Sequence, residues 1–173
     1  AIINAPAAAV ENLLQVPGLT WLEADQMALP TADVSMKEIG AIAARENTGL
    51  TGKGVLIGIV DSGIDWTHPD FLSSDGKTRI KYIFDMSVNG PYYGGTVYTE
   101  DDINASLAGA AIVKQHDFSG HGSHVAGIAA GDGSTIKNYG GYAGVAPEAN
   151  LIIVKATRNT YTSEFSSSDQ LLA

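Results

Sequence analysis

The chain has 173 residues, 45% of them hydrophobic, which is enough for a globular domain with a sizeable core. A net charge of −9 with only 10 basic residues argues against nucleic acid as a partner, and no apolar run approaches the roughly 20 residues of a membrane span. The lack of cysteine excludes disulfides, thiolate metal sites and a cysteine nucleophile.

The first 30 residues have the pattern of half a small α+β unit. The spacing of apolar residues predicts a strand over residues 1–4, a helix over residues 7–15 and a strand over residues 19–23. Because a strand at the first residue has no partner before it, we expect this unit to start upstream of Ala1.

A linker is predicted between this unit and the rest of the chain. Residues 27–34 have no hydrophobic period and contain Pro30, which is typical of an exposed connection. We therefore predict two domains, residues 1–30 and residues 31–173.

The second domain opens with a predicted helix. Ser35 and Glu38 have the spacing of a capping box with Ser35 at the N-cap, and Ile39 and Ile42 follow at helical spacing. This pattern predicts a helix from Ser35 to about Asn47.

Two continuous apolar runs predict the buried strands of a parallel sheet. They span residues 55–60 and 151–155, and such runs are typical of parallel strands that are covered on both faces. A helix is predicted from residue 121, so strand, helix and strand follow in the order of an α/β crossover. A further strand is predicted over residues 79–85 and a helical turn over residues 100–107.

His121 is the leading candidate for a catalytic base. It lies between Gly120 and Gly122, which let backbone and substrate approach closely. The helix that it begins is apolar and would fix its ring.

Asp61 is the leading candidate for the partner of this histidine. It follows the first buried strand, and open α/β sheets place their active sites at the carboxyl ends of their strands. A buried carboxylate holds one imidazole nitrogen as a donor, so that the other can take a proton from a nucleophile. The alternative, an Asp that only caps the next turn, is disfavoured because His121 is also present.

A metal pair is the alternative reading of the histidines. His121 and His124 are three residues apart, whereas a helical zinc pair usually has a spacing of four with a Glu in between. His124 is instead predicted to be a packing histidine whose ring hydrogen-bonds within the fold. His68, which precedes Pro69, is predicted in a turn, and His116 is predicted to be exposed.

Four segments carry a resemblance to a known family, and two of them together are far more specific than either alone. They are IVDSGID at residues 59–65, HPD at 68–70, GHGSHVAG at 120–127, and GVAP at 144–147 with the strand that follows it. On these segments the chain resembles the subtilisin-type serine peptidases, in the right order from about Ser35 onward.

The resemblance implies a fold, a propeptide and two site residues. The fold is α/β, the N-terminal part of the subtilisin-like parallel-sheet sandwich. Asp61 and His121 would be the aspartate and histidine of an Asp-His-Ser triad. Residues 1–30 resemble the second half of an inhibitory α+β propeptide, with the maturation cut between about Gln26 and Val34; an ordinary N-terminal subdomain is the alternative.

The chain departs from the family pattern at two places. Position 123 is Ser where the family usually has Thr, a loss of one methyl group that should be tolerated. Residues 74–115 carry an insertion between the implied triad residues, and this resembles a bacterial branch that includes clostridial spore-germination proteases. Within the insertion, three tyrosines are predicted either to line a substrate or partner surface or to be exposed without function: Tyr92, Tyr93 and Tyr98.

The nucleophile of the implied triad and the oxyanion-hole asparagine lie beyond Ala173 in this family. No serine here has the Gly-Thr-Ser-Met-Ala setting of the nucleophile, and Ser166, Ser167 and Ser168 form a polar cluster at a predicted helix start. We therefore expect a fragment that does not cut peptides by itself, and whose partner is the remaining C-terminal part, covalently joined or as another chain.

The chemistry of the family requires no cofactor, but its members often hold structural calcium. Asp70 matches the position of one calcium ligand, which is weak evidence because calcium takes about six to eight oxygen ligands. The resemblance also implies substrate binding by β-augmentation at the segment Thr160, Tyr161, Thr162 and Ser163.

These observations predict part of a serine endopeptidase that acts on peptide or protein substrates. The resemblance implies a secreted or extracytoplasmic protein, with an intracellular location left open. The alternative is a pseudoprotease that keeps the fold for binding or scaffolding, and the residue at the nucleophile position separates the two.

Overall fold

A computed structural model describes residues 9–13, 15–19, 32–88, 90–91, 94–135 and 142–157. The chain divides into two compact units, Ala1–Pro30 and Thr31–Ala173. In the first unit, helix α1 spans Val10–Leu13, within the predicted helix. The two strands predicted there lie outside the described residues except for Leu19, and the propeptide identity of this unit stays a prediction.

Two helices open the second unit where one was predicted. Helix α2 spans Ala32–Glu38 and α3 spans Ala41–Thr48. The predicted capping box is wrong, because Ser35 lies within α2 and not before it. Gly40 separates the two helices with a φ of 76°, a left-handed conformation that glycine adopts readily and that interrupts an α-helix.

A four-stranded sheet forms the centre of the second unit. Its strands are β1 (Leu56–Asp61), β2 (Ile80–Asp85), β3 (Thr96–Thr99) and β4 (Asn150–Lys155). They lie in the order β1-β4-β2-β3, with β4 parallel to both β1 and β2, and β3 antiparallel to β2. The predicted α/β fold, with the two apolar runs as parallel strands, is confirmed.

Helix α4 (Glu100–Leu107) was predicted as a single turn and forms two turns. It begins with a capping box: the Thr99 hydroxyl accepts from the Asp102 N–H, and the Asp102 carboxylate accepts from the Thr99 N–H at 2.9 Å. Tyr98 of β3 is 5% exposed, so both alternatives predicted for it, lining a surface and being exposed without function, are wrong.

The core lies between one face of the sheet and the helices α4 and α5 (His121–Ala130). Ile59, Ile153 and Ile83 are in register on three neighbouring strands and are all buried. Ala126 and Ala130 of α5 pack against this row, and their small side chains let the helix lie close to the sheet.

The opposite face of β1 is exposed. Leu56 is 54% and Val60 47% exposed, whereas Ile59 between them is 6% exposed. The prediction that this strand is covered on both faces is therefore wrong for the described residues, where β1 is an edge strand of the sheet. Among the described residues, no helix has both the length and the apolar character needed to cross a membrane.

Candidate active site

The chain brings Asp61 and His121 together at the carboxyl end of β1. Asp61 is the last residue of β1 and His121 the first of α5. Nδ1 of His121 lies 2.8 Å from Oδ1 and 2.9 Å from Oδ2 of Asp61. Because Nδ1 faces the carboxylate, Nε2 is the nitrogen left for proton transfer.

The two side chains differ in exposure, as a base and its orienting partner require. The Asp61 side chain is 15% exposed and the His121 side chain 65% exposed. The hydrogen bond that His121 makes to the Asp61 carboxylate raises the pKa of His121, and so does the charge of Asp61. Desolvation opposes them, and the charge of Asp117 adds a lesser rise. The pair therefore stabilises the imidazolium that forms when His121 accepts a proton, although its catalytic role stays a prediction.

Glycines set the distance between the two elements that carry the pair. Gly122 and Gly63 are both buried, and a Cβ at Gly122 would overlap the carbonyl oxygen of Gly63. The close approach expected beside His121 is therefore a contact between the backbones of Gly122 and Gly63. Gly120, at the N-cap of α5, has a φ of 75° that turns the chain into the helix.

Sequence reasoning missed Asp117 and Ser62. Asp117 precedes His121 by four residues and is partly buried, and Ser62 is 2% exposed. The Ser62 hydroxyl donates to Oδ1 of Asp117 at 2.8 Å and accepts from the Gly122 N–H at 3.0 Å. The available signal was a carboxylate within a short polar segment just before the histidine, but nothing in the sequence indicated its partner.

Ser123 keeps the function of a hydroxyl at its position. Its Oγ donates to Oδ2 of Asp117 at 2.7 Å and accepts from the Asp65 N–H at 2.7 Å. A threonine carries the same hydroxyl, which explains in physical terms why the missing methyl group should be tolerated.

The other histidines do not join the site. His124 is exposed, so the prediction of a packing histidine is wrong. His116 is exposed as predicted, and His68 caps a short 3₁₀ helix, Pro69–Phe71, by accepting from the Asp70 N–H at 3.3 Å. Within the described ranges no three His, Cys, Asp or Glu side chains form a group that could hold a metal, so the zinc alternative lacks a third ligand there.

Asp70 is bound by protein donors. Its Oδ1 accepts from the Thr135 hydroxyl at 2.6 Å, from the Thr135 N–H at 3.0 Å and from the Ser134 hydroxyl at 3.4 Å. All three donors bond to Oδ1, and within the described residues no three His, Cys, Asp or Glu side chains form a group that could hold a metal, so there is no ligand set for calcium among them. Calcium at Asp70 stays a prediction without geometric support.

Several predicted residues lie outside the part of the chain that the structure describes. They are the substrate segment Thr160, Tyr161, Thr162 and Ser163, the tyrosines Tyr92 and Tyr93, and the serine cluster at 166–168. Their predicted roles stay predictions.

An Asp–His pair at the carboxyl edge of a parallel α/β sheet also occurs in serine hydrolases. The chain belongs to the subtilase family, whose model matches residues 52–171. This agrees with the family expected from the four sequence segments.

The chain is similar to several bacterial proteinases. It is 31% identical to Subtilisin E of Bacillus subtilis (strain 168) over 171 residues, which cover 95% of this chain and 36% of that protein. It is 37% identical to the Major intracellular serine protease of the same strain over 107 residues, 62% of this chain and 25% of the relative. It is 28% identical to the PI-type proteinase of Lactococcus lactis subsp. cremoris over 173 residues, 95% of this chain and 9% of the relative.

Among solved structures, the fold is similar to that of the Clostridium perfringens CspB protease. The TM-score is 0.65 and the identity 36%, over 75% of this chain and 26% of that one. This finding agrees with the resemblance to clostridial proteases that was expected from the insertion at residues 74–115. The chain spans little more than a third, or less, of the length of each of these relatives.

Proposed function

We propose that this chain supplies the aspartate and the histidine of a serine endopeptidase that hydrolyses peptide bonds in peptides or proteins. The observation that carries the proposal is the pairing of His121 Nδ1 with the carboxylate of Asp61 in a chain of the subtilase family. The nucleophilic serine would come from sequence beyond this chain.

In the proposed reaction His121 acts first as a base and then as an acid. Nε2 takes the proton of the serine hydroxyl while the serine oxygen attacks the peptide carbonyl, and the imidazolium then protonates the leaving amine. A water molecule then gives a proton to Nε2 and attacks the acyl carbon, and the returned proton releases the serine. Asp61 holds the ring in the required tautomer and stabilises its positive charge.

The test compares two histidines of the same helix in the protein that contains this chain and the serine. His121→Ala should abolish peptide hydrolysis and labelling by a serine-directed phosphonate, whereas His124→Ala, at an exposed position, should leave both nearly unchanged. An unlabelled wild-type protein would support the pseudoprotease alternative. Loss of activity with a zinc chelator, together with indifference to the phosphonate, would support the metal alternative.

Residues 1–30 are proposed to be the second half of an inhibitory propeptide. The alignments with Subtilisin E and the lactococcal proteinase cover 95% of this chain and therefore extend into this unit. Since self-cleavage needs the same triad, His121→Ala should also accumulate the uncleaved precursor. Normal processing in that variant would show that another protease performs the maturation.

The rest of the catalytic domain is proposed to cover the exposed face of β1. The side chains of Leu56 and Val60 are about half exposed there, which is unusual for a parallel strand.

Export from the cytoplasm is proposed on the family resemblance, but the relatives include one named as intracellular. Cell fractionation would decide the location.

A further inference from the structure

A second carboxylate, that of Asp117, is tied to both elements that carry the Asp–His pair. Its Oδ1 accepts from the Ser62 hydroxyl at 2.8 Å and the Gly120 N–H at 3.0 Å. Its Oδ2 accepts from the Ser123 N–H at 2.8 Å and the Ser123 hydroxyl at 2.7 Å. Each oxygen of the carboxylate therefore accepts two hydrogen bonds, and no lone pair is left to bind a substrate.

These bonds reach the immediate neighbours of both members of the pair. Ser62 follows Asp61, and Gly120 precedes His121. Ser62 also accepts from the Gly122 N–H at 3.0 Å, so one chain of bonds runs from Asp117 through the Ser62 hydroxyl to the backbone beside His121. A donor and an acceptor thus meet at one buried hydroxyl, which fixes its orientation.

The segment that carries Asp117 is itself anchored to the sheet. Lys155, the last residue of β4, is 1% exposed, and its Nζ donates to the carbonyl of His116 at 2.6 Å. Burial would raise the pKa of Asp117, but hydrogen bonds from Ser123, Ser62 and Gly120 outweigh it and lower that pKa. Burial lowers the pKa of Lys155, and the negative charges of Asp85 and Asp117 oppose that effect without outweighing it.

We propose that Asp117 is a positioning residue that acts through Ser62 to hold the end of β1 against the first turn of α5, and so sets the hydrogen bond between Asp61 and His121. This inference rests on the proposed function, because the bond matters for catalysis only if His121 is the base. A displacement of about 1 Å in such a pair can cost on the order of 100-fold in rate.

The experiment measures kcat and KM of the active protein with Asp117→Asn, Ser62→Ala and both changes together. In Asp117→Asn the amide nitrogen would face either the two donors of Ser123 or the donors of Ser62 and Gly120, so part of the network is lost. Each single change should lower kcat by about 10- to 100-fold with KM changed less than about twofold. Because both act along one chain of bonds, the double variant should be no slower than the slower single variant.

The matched control is Asp101→Asn, whose carboxylate is exposed on α4 and makes none of these bonds, and which should keep kcat within about twofold of the wild type. A proton NMR signal of the His121 Nδ1 hydrogen should move upfield in Asp117→Asn and Ser62→Ala and stay in place in the control. If Asp117→Asn does not fold, as judged by thermal unfolding, Ser62→Ala still provides the test.

Two results would overturn the inference: a folded Asp117→Asn variant with wild-type kcat, or a double variant whose loss equals the product of the single losses. Phosphonate labelling of the wild type reports on the proposed function separately, whereas the ratio of variant to wild-type kcat reports on Asp117.

Discussion

Nδ1 of His121 lies within 2.9 Å of both carboxylate oxygens of Asp61, although the two residues are 60 positions apart in the sequence. One of them ends a strand and the other begins a helix. The bond therefore joins two elements at the point where a parallel sheet presents its carboxyl edge, and it orients the ring without contributing to the core.

The Asp–His pair makes activity depend on pH with a definite sign. Asp61 raises the pKa of His121, and His121 must be neutral to act as a base, so kcat/KM should rise with pH through a pKa above the ordinary histidine value of about 6.5. In Asp61→Asn the imidazolium loses its partner, so the acidic limb should move to lower pH while the rate falls. A limb that stays in place, measured with the same substrate over the same pH range, would show that another group controls it.

Gly122 and Gly127 of α5 should respond in opposite ways to alanine. A Cβ at Gly122 would overlap the Gly63 carbonyl, whereas a Cβ at Gly127 meets nothing within 4 Å. Gly122→Ala should lower the free energy of unfolding by about 1–3 kcal/mol and reduce kcat. Gly127→Ala should be neutral or stabilising by up to about 1 kcal/mol, because alanine is the better helix former. Denaturant unfolding of both variants checks this, and equal effects would contradict the close backbone approach.

Arg79 should be a major contributor to stability. It is 7% exposed, and its guanidinium donates to the carbonyls of Ala149 at 2.6 Å, Asp70 at 2.5 Å and Ala130 at 2.6 Å. Arg79→Met removes all three hydrogen bonds, although the Asp70 carbonyl keeps the one from the Asp132 N–H at 3.1 Å, and it should lower the free energy of unfolding by about 3 kcal/mol or more.

Two control variants accompany that measurement. Arg79→Lys keeps the charge but not the fork of donors, so its loss should be intermediate. Lys77→Met, at an exposed position nearby, should change the free energy of unfolding by less than about 0.5 kcal/mol. An Arg79→Met variant as stable as the wild type would mean that other donors replace the guanidinium.

Asp70 should stabilise the protein through hydrogen bonds to Thr135 and not through calcium. Asp70→Ala should lower the thermal midpoint equally in calcium and in EGTA, because the bonds to the Thr135 N–H and hydroxyl are lost in both. Asp70→Asn keeps one acceptor oxygen and should be close to the wild type. A wild-type midpoint that falls in EGTA, with Asp70→Asn as damaged as Asp70→Ala, would support the calcium prediction instead.

The sequence was sufficient for the strands β1 and β4 and for the two residues that pair at the candidate site. A continuous apolar run depends only on local composition, and Asp61 and His121 lie within recognisable segments. The predicted helix start at Ser35 is wrong because an S-x-x-E pattern also occurs inside helices, and Gly40 divides the predicted helix into two. Conversely, the capping box of α4 has only a weak sequence signal, because its fourth residue is Asp102 where Glu or Gln is usual.

The sequence by itself determined the class of fold, the family and the identity of the candidate base and its partner, since these depend on hydrophobic period and on residues at fixed local spacing. Only the tertiary structure decided that Asp117 bonds to Ser62, that Asp70 accepts hydrogen bonds from Thr135, and that one face of β1 is exposed among the described residues. Each of these depends on which segments approach within hydrogen-bonding or packing distance after folding, and residues 55 or 65 positions apart carry no local signal of their contact.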